Sequence, residues 1–163
     1  AMRDSWGRRL VNYRRGELTG EFGDLTYLLE SGSDRIGALD FQTSAEHHVP
    51  REVLHTTLDE LATASERIET GQPLSAALDA ALLRGTSVGG ARPKALIDDR
   101  DRKLIAKFSS TTDTFPVVQA EFAAMELARR VGLDVASVEL TVAAGRHALL
   151  VERFDRSVGR RIG

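Results

Sequence analysis

The sequence predicts an α+β protein, a small antiparallel sheet packed with a helix and preceded by a mostly helical segment. Two short apolar segments, Ala95-Leu96-Ile97 and Leu104-Ile105-Ala106, flank a charged turn, Asp98-Asp99-Arg100-Asp101-Arg102, and read as a β-hairpin. Residues 135–143 and 148–151 lie on either side of Gly145-Arg146 and read as a second hairpin, with Val138, Leu140 and Val142 alternating. Apolar residues recur at helical spacing in the segments before and between these hairpins.

Composition bounds the rest. The 163 residues are 42% hydrophobic and 28% charged, as in an ordinary globular protein, and suffice for one domain or two small lobes. We divide them into a helical and β segment, 1–83, and a Gly-rich-loop lobe, 84–163. A net charge of −2 gives no global pull toward nucleic acid. With no cysteine, disulfides and thiolate chemistry are excluded, and a cytoplasmic location fits. No apolar run approaches a membrane span and no signal peptide is visible, so no membrane partner is expected. Ala1-Met2 reads as an appended residue or the edge of an excised piece.

In chain order, residues 5–15 read as a helix with Ser5 as N-cap and Trp6, Leu10, Val11 and Tyr13 on its apolar face. Its arginines, Arg8, Arg9, Arg14 and Arg15, make either a solvated face or a partner contact. Gly20 and Gly23 bracket an acidic turn. Leu25, Leu28 and Leu29 then give a short helix that stops at Ser31-Gly32. Ile36 to Phe41 reads as a strand, and 42–50 as a loop ending at Pro50. His47, His48, His55 and His147 show no ligand spacing, so no metal site is expected in this chain. Residues 51–70 read as a helix on Val53, Leu54, Leu58, Leu61, Ala62, Ser65 and Ile68, ended by Gly71. Residues 73–83 read as another, with Pro73 near its first turn and Leu74, Ala77, Leu78, Ala81 and Leu82 as the buried stripe. After the first hairpin, Phe115, Val118, Phe122, Met125 and Ala128 mark a helix closed by Gly132. Glu121, at the border of that stripe, is either a partner for Lys107 or an exposed carboxylate favoured near a helix N-terminus.

The chemistry concentrates in Arg84-Gly-Thr-Ser-Val-Gly-Gly-Ala-Arg-Pro-Lys94 and in Lys107. Glycines allow close approach of backbone N–H groups, and clustered N–H groups bind anions. Lys107, at the end of the hairpin, can add a point charge on the same phosphates. The stretch is not a Walker A loop, since Gly-Lys-Ser/Thr is missing. Nor is it the dinucleotide fingerprint, since it leads into a strand. Loop, strand, turn, strand and lysine instead follow the order of protein-kinase amino-terminal lobes.

Ser87-Val-Gly-Gly-Ala-Arg-Pro-Lys94, Leu104-Ile-Ala-Lys107-Phe and Val151-Glu-Arg-Phe-Asp-Arg156 together resemble the HipA family of bacterial serine/threonine kinases, the toxins of toxin–antitoxin pairs. Asp34-Arg-Ile-Gly-Ala-Leu39 and Asp4-Ser-Trp-Gly-Arg-Arg9 resemble that family's upstream segments, so the likeness runs nearly end to end. The resemblance implies a kinase-like N-terminal lobe that binds ATP with Mg. Gly89, Gly90, Ala91, Arg92, Pro93 and Lys94 would cradle the phosphates, Lys107 would serve as the catalytic lysine, and Glu152, Arg153 and Phe154 would border the adenine. Ser87 falls on the serine such kinases phosphorylate on themselves. A protein substrate, a HipB-like helix-turn-helix antitoxin and, mainly through that antitoxin, operator DNA are the implied partners.

The resemblance also implies an Asp-Gly-His-type loop and a later acidic motif to hold Mg and the accepting hydroxyl. After the hinge the chain has only Arg156-Ser-Val-Gly-Arg-Arg-Ile-Gly163, so it is expected to be an N-terminal portion of such a kinase and inactive alone. A non-catalytic antitoxin- or nucleotide-binding module and an unrelated α+β binding domain remain the alternatives.

Overall fold

The computed structural model describes residues 5–17, 21–36, 39–51, 56–81, 83–157 and 160–161. Readings that rest on Asp4, Gly20, Gly37, Ala38, Val53, Leu54, His55 and Leu82 lie outside the described residues. Helices α1 (Ser5–Arg14), α2 (Asp24–Glu30), α3 (Leu58–Glu69), α4 (Ala76–Ala81) and α5 (Leu83–Thr86) come first. Strands β1 (Lys94–Asp99) and β2 (Arg102–Phe108), helix α6 (Val117–Arg130), strands β3 (Val138–Ala143) and β4 (Arg146–Glu152), and the short pair β5 (Arg156–Ser157) and β6 (Arg160–Arg161) follow. The fold is α+β, as the sequence predicts. Its main sheet is antiparallel in the order β1-β2-β4-β3, so the return strand of the second hairpin joins the two hairpins.

The turns follow from local chemistry. Arg100, with φ 52°, turns β1 into β2, and Ala144 and Gly145, with φ 47° and 76°, make the two-residue turn between β3 and β4. Positive φ at both central residues matches the right-handed twist of hairpin strands. Gly132, with φ +86°, follows the end of α6 as the sequence predicts.

Helices cover both faces of the sheet. Ala95, Ala106, Phe108, Ala143 and Ala148 form one buried face, with Leu61 of α3 in the same cluster. The small alanines let α3 approach closely. Asp59 at the start of α3 accepts a hydrogen bond from the Ala144 N–H at 2.8 Å, fixing the helix against the hairpin turn. The other face carries Lys94, Leu96, Lys107 and Leu149, and there α6 packs on β3 and β4 with Val118 buried. A second core joins Trp6 and Leu10 of α1 to Ala64 and Ile68 of α3, with Tyr13, Leu74 and Leu78 against it.

Several sequence expectations are corrected. The described residues between Ile36 and Phe41 are not a strand. Leu39 there is 73% exposed, and Asp40 organises the segment, its carboxylate accepting from Gln42, His48 and Arg51. Burial of Asp40 raises its pKa, but hydrogen bonds from Ser33, His48 and Gln42 and the Arg51 charge outweigh that and hold it at about 2. The helix expected over 51–70 begins at Leu58. Thr57 is its N-cap, with a capping box in which Thr57 and Glu60 satisfy each other's backbone N–H groups. Thr-Leu-Asp-Glu is the readable signature of that box. Pro73 lies ahead of α4 and outside it. Gly85 and Thr86, read as loop, are the last residues of α5. The strand expected from 135 begins at Val138.

The arginines of α1 and of the residue after it are partly accounted for within the chain. Arg8 pairs with Asp24 and stacks 4.3 Å from the Tyr27 ring centroid, while Arg15 pairs with Glu30 and lies 5.6 Å from that of Phe22. These contacts hold α2 on α1.

Gly85 is required by space. A Cβ there would lie 2.6 Å from Leu10 Cδ1 and 2.8 Å from the Lys94 carbonyl oxygen, whereas one at Gly89 would meet nothing within 4 Å. The backbone oxygen cannot swing away as a side chain could. Gly85→Ala is therefore expected to destabilise by about 1–3 kcal/mol. Gly89→Ala should stay within about 0.5 kcal/mol. Urea denaturation midpoints at unchanged m values check the difference, and equal midpoints would refute this packing account.

Candidate functional site

The site is built where the Gly-rich stretch enters β1. Backbone and side-chain contacts hold this stretch. The Trp6 N–H donates to the Gly90 carbonyl at 3.1 Å, and the Trp6 indole N–H donates to the Lys94 carbonyl at 3.0 Å. Helix α1 thus grips the loop at both ends of residues 90–94. The Phe108 N–H donates to the Pro93 carbonyl at 3.0 Å, and Pro93 is fully buried. Gly90 has φ +111°, and a Cβ there would lie 2.5 Å from Lys94 Nζ. Lys94 is itself buried and folds back over the loop, its ammonium donating to the Gly89 carbonyl at 2.8 Å. Arg92 extends to Asp113 in an ion pair. Burial raises the Asp113 pKa, but the Arg92 and Ser110 hydrogen bonds lower it by more.

Strand register places the second lysine. Lys94 and Lys107 are direct partners across β1 and β2, so they share a face of the sheet. Like charges directly opposite one another destabilise a sheet. Lys107 is neutralised from α6, where Glu121 forms an ion pair with its ammonium. Each side chain of that pair is about one-third exposed, at 32% and 36%, so solvent reaches it. The sequence left Glu121 with two readings, and the structure places it on Lys107.

Glu152, Arg153 and Phe154 lie at the far end of β4. Leu149 pairs with Lys107 and Glu152 with Leu104, so this end is three residues along β2 from Lys107. That is roughly 10 Å at the rise of a strand. The Glu152 and Arg153 N–H groups donate to the Ser137 and Lys103 carbonyls, both at 2.9 Å. The Phe154 ring is 84% exposed, so it is no core aromatic. The Arg153 side chain points into the protein, only 1% exposed, and takes both oxygens of Asp155 at 2.9 and 2.8 Å. Its burial opposes the charge, but Asp155 and Asp34 outweigh this and raise its pKa.

Ser87 is buried, and its hydroxyl donates to the Gly32 carbonyl at 3.0 Å. Thr86, also buried, accepts from the Gly32 N–H at 3.0 Å. Ala91 is an exposed residue of the loop. Sequence reasoning did not single out Trp6 as the loop's anchor, nor Asp34 and Asp113 as partners of arginines near the site. Trp6 and Asp34 stand inside quoted motifs, which is the signal that could have found them. Asp113 had none beyond its place in a polar loop. No group of three His, Cys, Asp or Glu that could hold a metal occurs among the described residues. No helix among them is long and apolar enough to cross a membrane.

One sheet face thus combines a Gly-rich loop, two opposed lysines and a helical glutamate within an α+β domain. Residues 86–163 match the family model described as the HipA-like C-terminal domain, and over this span the chain is HipA-like. The match corrects one expectation. The loop from Ser87, both hairpins and α6 fall within what the family defines as its C-terminal domain, not in an N-terminal portion ahead of it. No curated protein matches the chain.

Proposed function

We propose that this chain is the nucleotide-binding part of a HipA-like serine/threonine protein kinase, the toxin of a toxin–antitoxin pair, and that its loop and lysine face bind the phosphates of ATP. The observation that carries this reading is the Lys94–Lys107 cross-strand pair beside the Gly-rich loop. Two ammonium groups on one sheet face, that of Lys107 oriented by Glu121, concentrate positive charge beside the loop, which favours an anion there. Gly89, with open space around its α-carbon, lets a phosphate approach the backbone. The chain's own residues bind and orient. Gly89 to Lys94 would take the phosphates, Lys107 held by Glu121 would fix them, and the backbone around Glu152 to Phe154 would border the base.

Mg would accompany ATP as the counter-ion of its phosphates. Ser87 would be the autophosphorylation site. Phosphorylation would remove its donated hydrogen bond to Gly32 and place a dianion in a buried position, which favours displacement of the loop. A HipB-like helix-turn-helix antitoxin, a protein substrate and, through the antitoxin, operator DNA complete the proposal.

Calorimetric titration of the 163-residue chain with ATP and Mg tests it. Saturable binding without release of ADP is the expected result, and tripolyphosphate should compete. An absence of ATP binding at millimolar concentration would refute the nucleotide reading. Binding with turnover by a clean sample would refute the expectation that this chain is inactive alone.

A further inference from the structure

We propose that Ser31–Arg35 is a strut that ties the Gly-rich loop to the Arg153–Arg156 segment, with Asp34 as the positioning residue at the second end. At the first end, both polar groups of Gly32 are used by Thr86 and Ser87, where α5 passes into the loop. The Gly32 N–H donates to Thr86 Oγ1 and the Gly32 carbonyl accepts from Ser87 Oγ, both at 3.0 Å. Two residues further on, Asp34 Oδ1 accepts from Arg156 Nε at 3.1 Å and Nη2 at 2.7 Å. It also forms an ion pair with Arg153 Nη1 at 3.1 Å. That nitrogen is buried and makes no hydrogen bond of good geometry, so Asp34 is the charge that compensates it. The Arg35 carbonyl accepts from Arg153 Nη2 at 3.0 Å and from Arg156 Nη2.

The strut is short and braced. Gly32 to Arg35 spans at most about 10 Å of extended chain. Ser31 and Ser33 are buried, and Arg51 holds both, through Nε to the Ser31 carbonyl at 2.7 Å and its N–H to Ser33 Oγ at 2.9 Å. Arg51 is anchored in turn on Asp40 at 2.6 Å. A displacement at Ser87 therefore moves a segment that cannot yield at its middle, and the strain passes to the Asp34–Arg153–Asp155–Arg156 cluster. That cluster sets the backbone next to Phe154. On the nucleotide reading above, on which this consequence rests, the strut couples the phosphate end of the site to its base end, so a change at Ser87 also alters the grip on the base.

Amide hydrogen exchange of the full 163-residue chain tests the tie without any ligand. Ser87→Ala removes the donor to Gly32 and is expected to speed exchange at the Arg153 and Arg156 amides by roughly tenfold, the scale of one lost buried hydrogen bond. Asp34→Asn is expected to do the same at Ser87 to Gly90, since coupling is reciprocal. Amides of β4 from Leu149 to Val151 should keep their rates, which separates the strut from transmission through the sheet or general loosening. Changes confined to the mutated end, or equal changes along β4, would overturn the proposal. Adenosine, which has no phosphate for the loop, reads the functional consequence. Its affinity should fall severalfold in Ser87→Ala and no further when Asp34→Asn is added. If ATP and adenosine fail to bind the unaltered chain, the nucleotide reading fails while the exchange data still decide the tie.

Discussion

Trp6→Ala should cost a large share of the chain's stability, and the loss should be felt first in the Gly-rich loop. Trp6 is 1% exposed in a core with Leu10, Ala64 and Ile68, so truncation opens a cavity between α1 and α3. Replacing a buried Trp by Ala costs about 3–5 kcal/mol, out of a total of about 5–15 kcal/mol for a typical domain. The indole N–H is also a donor to the Lys94 carbonyl, at the first residue of β1. Trp6→Phe separates the two roles. It keeps much of the apolar bulk but removes the donor of that hydrogen bond, which costs about 0.5–1.5 kcal/mol. Urea denaturation followed by circular dichroism gives both numbers. Trp6 is the only tryptophan, so its fluorescence follows the unaltered chain through the same transition. A Trp6→Ala variant less than about 1 kcal/mol below the parent would refute the view that α1 holds the loop in place.

The elements legible in the sequence were those with strong local signals. The hairpin of Ala95 to Ala106 is two short apolar runs with a charged turn between, and the second turns at Ala144 and Gly145, beside the pair the sequence marks. Helix α6 carries a long apolar stripe and the Gly132 stop. What misled was weak periodicity overridden by tertiary contacts. Ile36 to Phe41 alternates like a strand, yet its described residues have no strand partner, and Asp40 binds the side chains of Gln42, His48 and Arg51 instead. Gly85 suggests a loop by composition, but there the missing Cβ serves close packing against Leu10 and the Lys94 carbonyl at the end of a helix. The site was partly legible for the same reason. Lys107 and the Gly-rich stretch are local features, whereas the opposition of Lys94 to Lys107 depends on strand register, and the contact of Ser87 with Gly32 depends on the tertiary fold.

The sharpest test of the proposed site is Lys107→Ala, because stability and binding should part company. The Lys107–Glu121 pair is one-third exposed on both sides, so as a stabilising ion pair it contributes about 0–1 kcal/mol. Removing Lys107 also relieves its opposition to Lys94 across the strands. The two effects oppose each other, and the folded chain should lose no more than about 1 kcal/mol. For a bound polyphosphate the balance differs, since a charge-assisted hydrogen bond to a phosphate oxygen is worth about 1.5–3 kcal/mol. ATP should therefore bind about 10- to 100-fold more weakly to Lys107→Ala, with tripolyphosphate weakened in parallel and adenosine little changed. Glu121→Gln keeps the ammonium but removes the carboxylate that orients it. Its ATP affinity should fall less, and that difference apportions the site between charge and placement. Calorimetry of the variants reads all of this, with thermal unfolding as the control. If Lys107→Ala binds ATP as tightly as the parent, Lys107 is not the phosphate cation, and its pairing with Glu121 is only a clamp between β2 and α6.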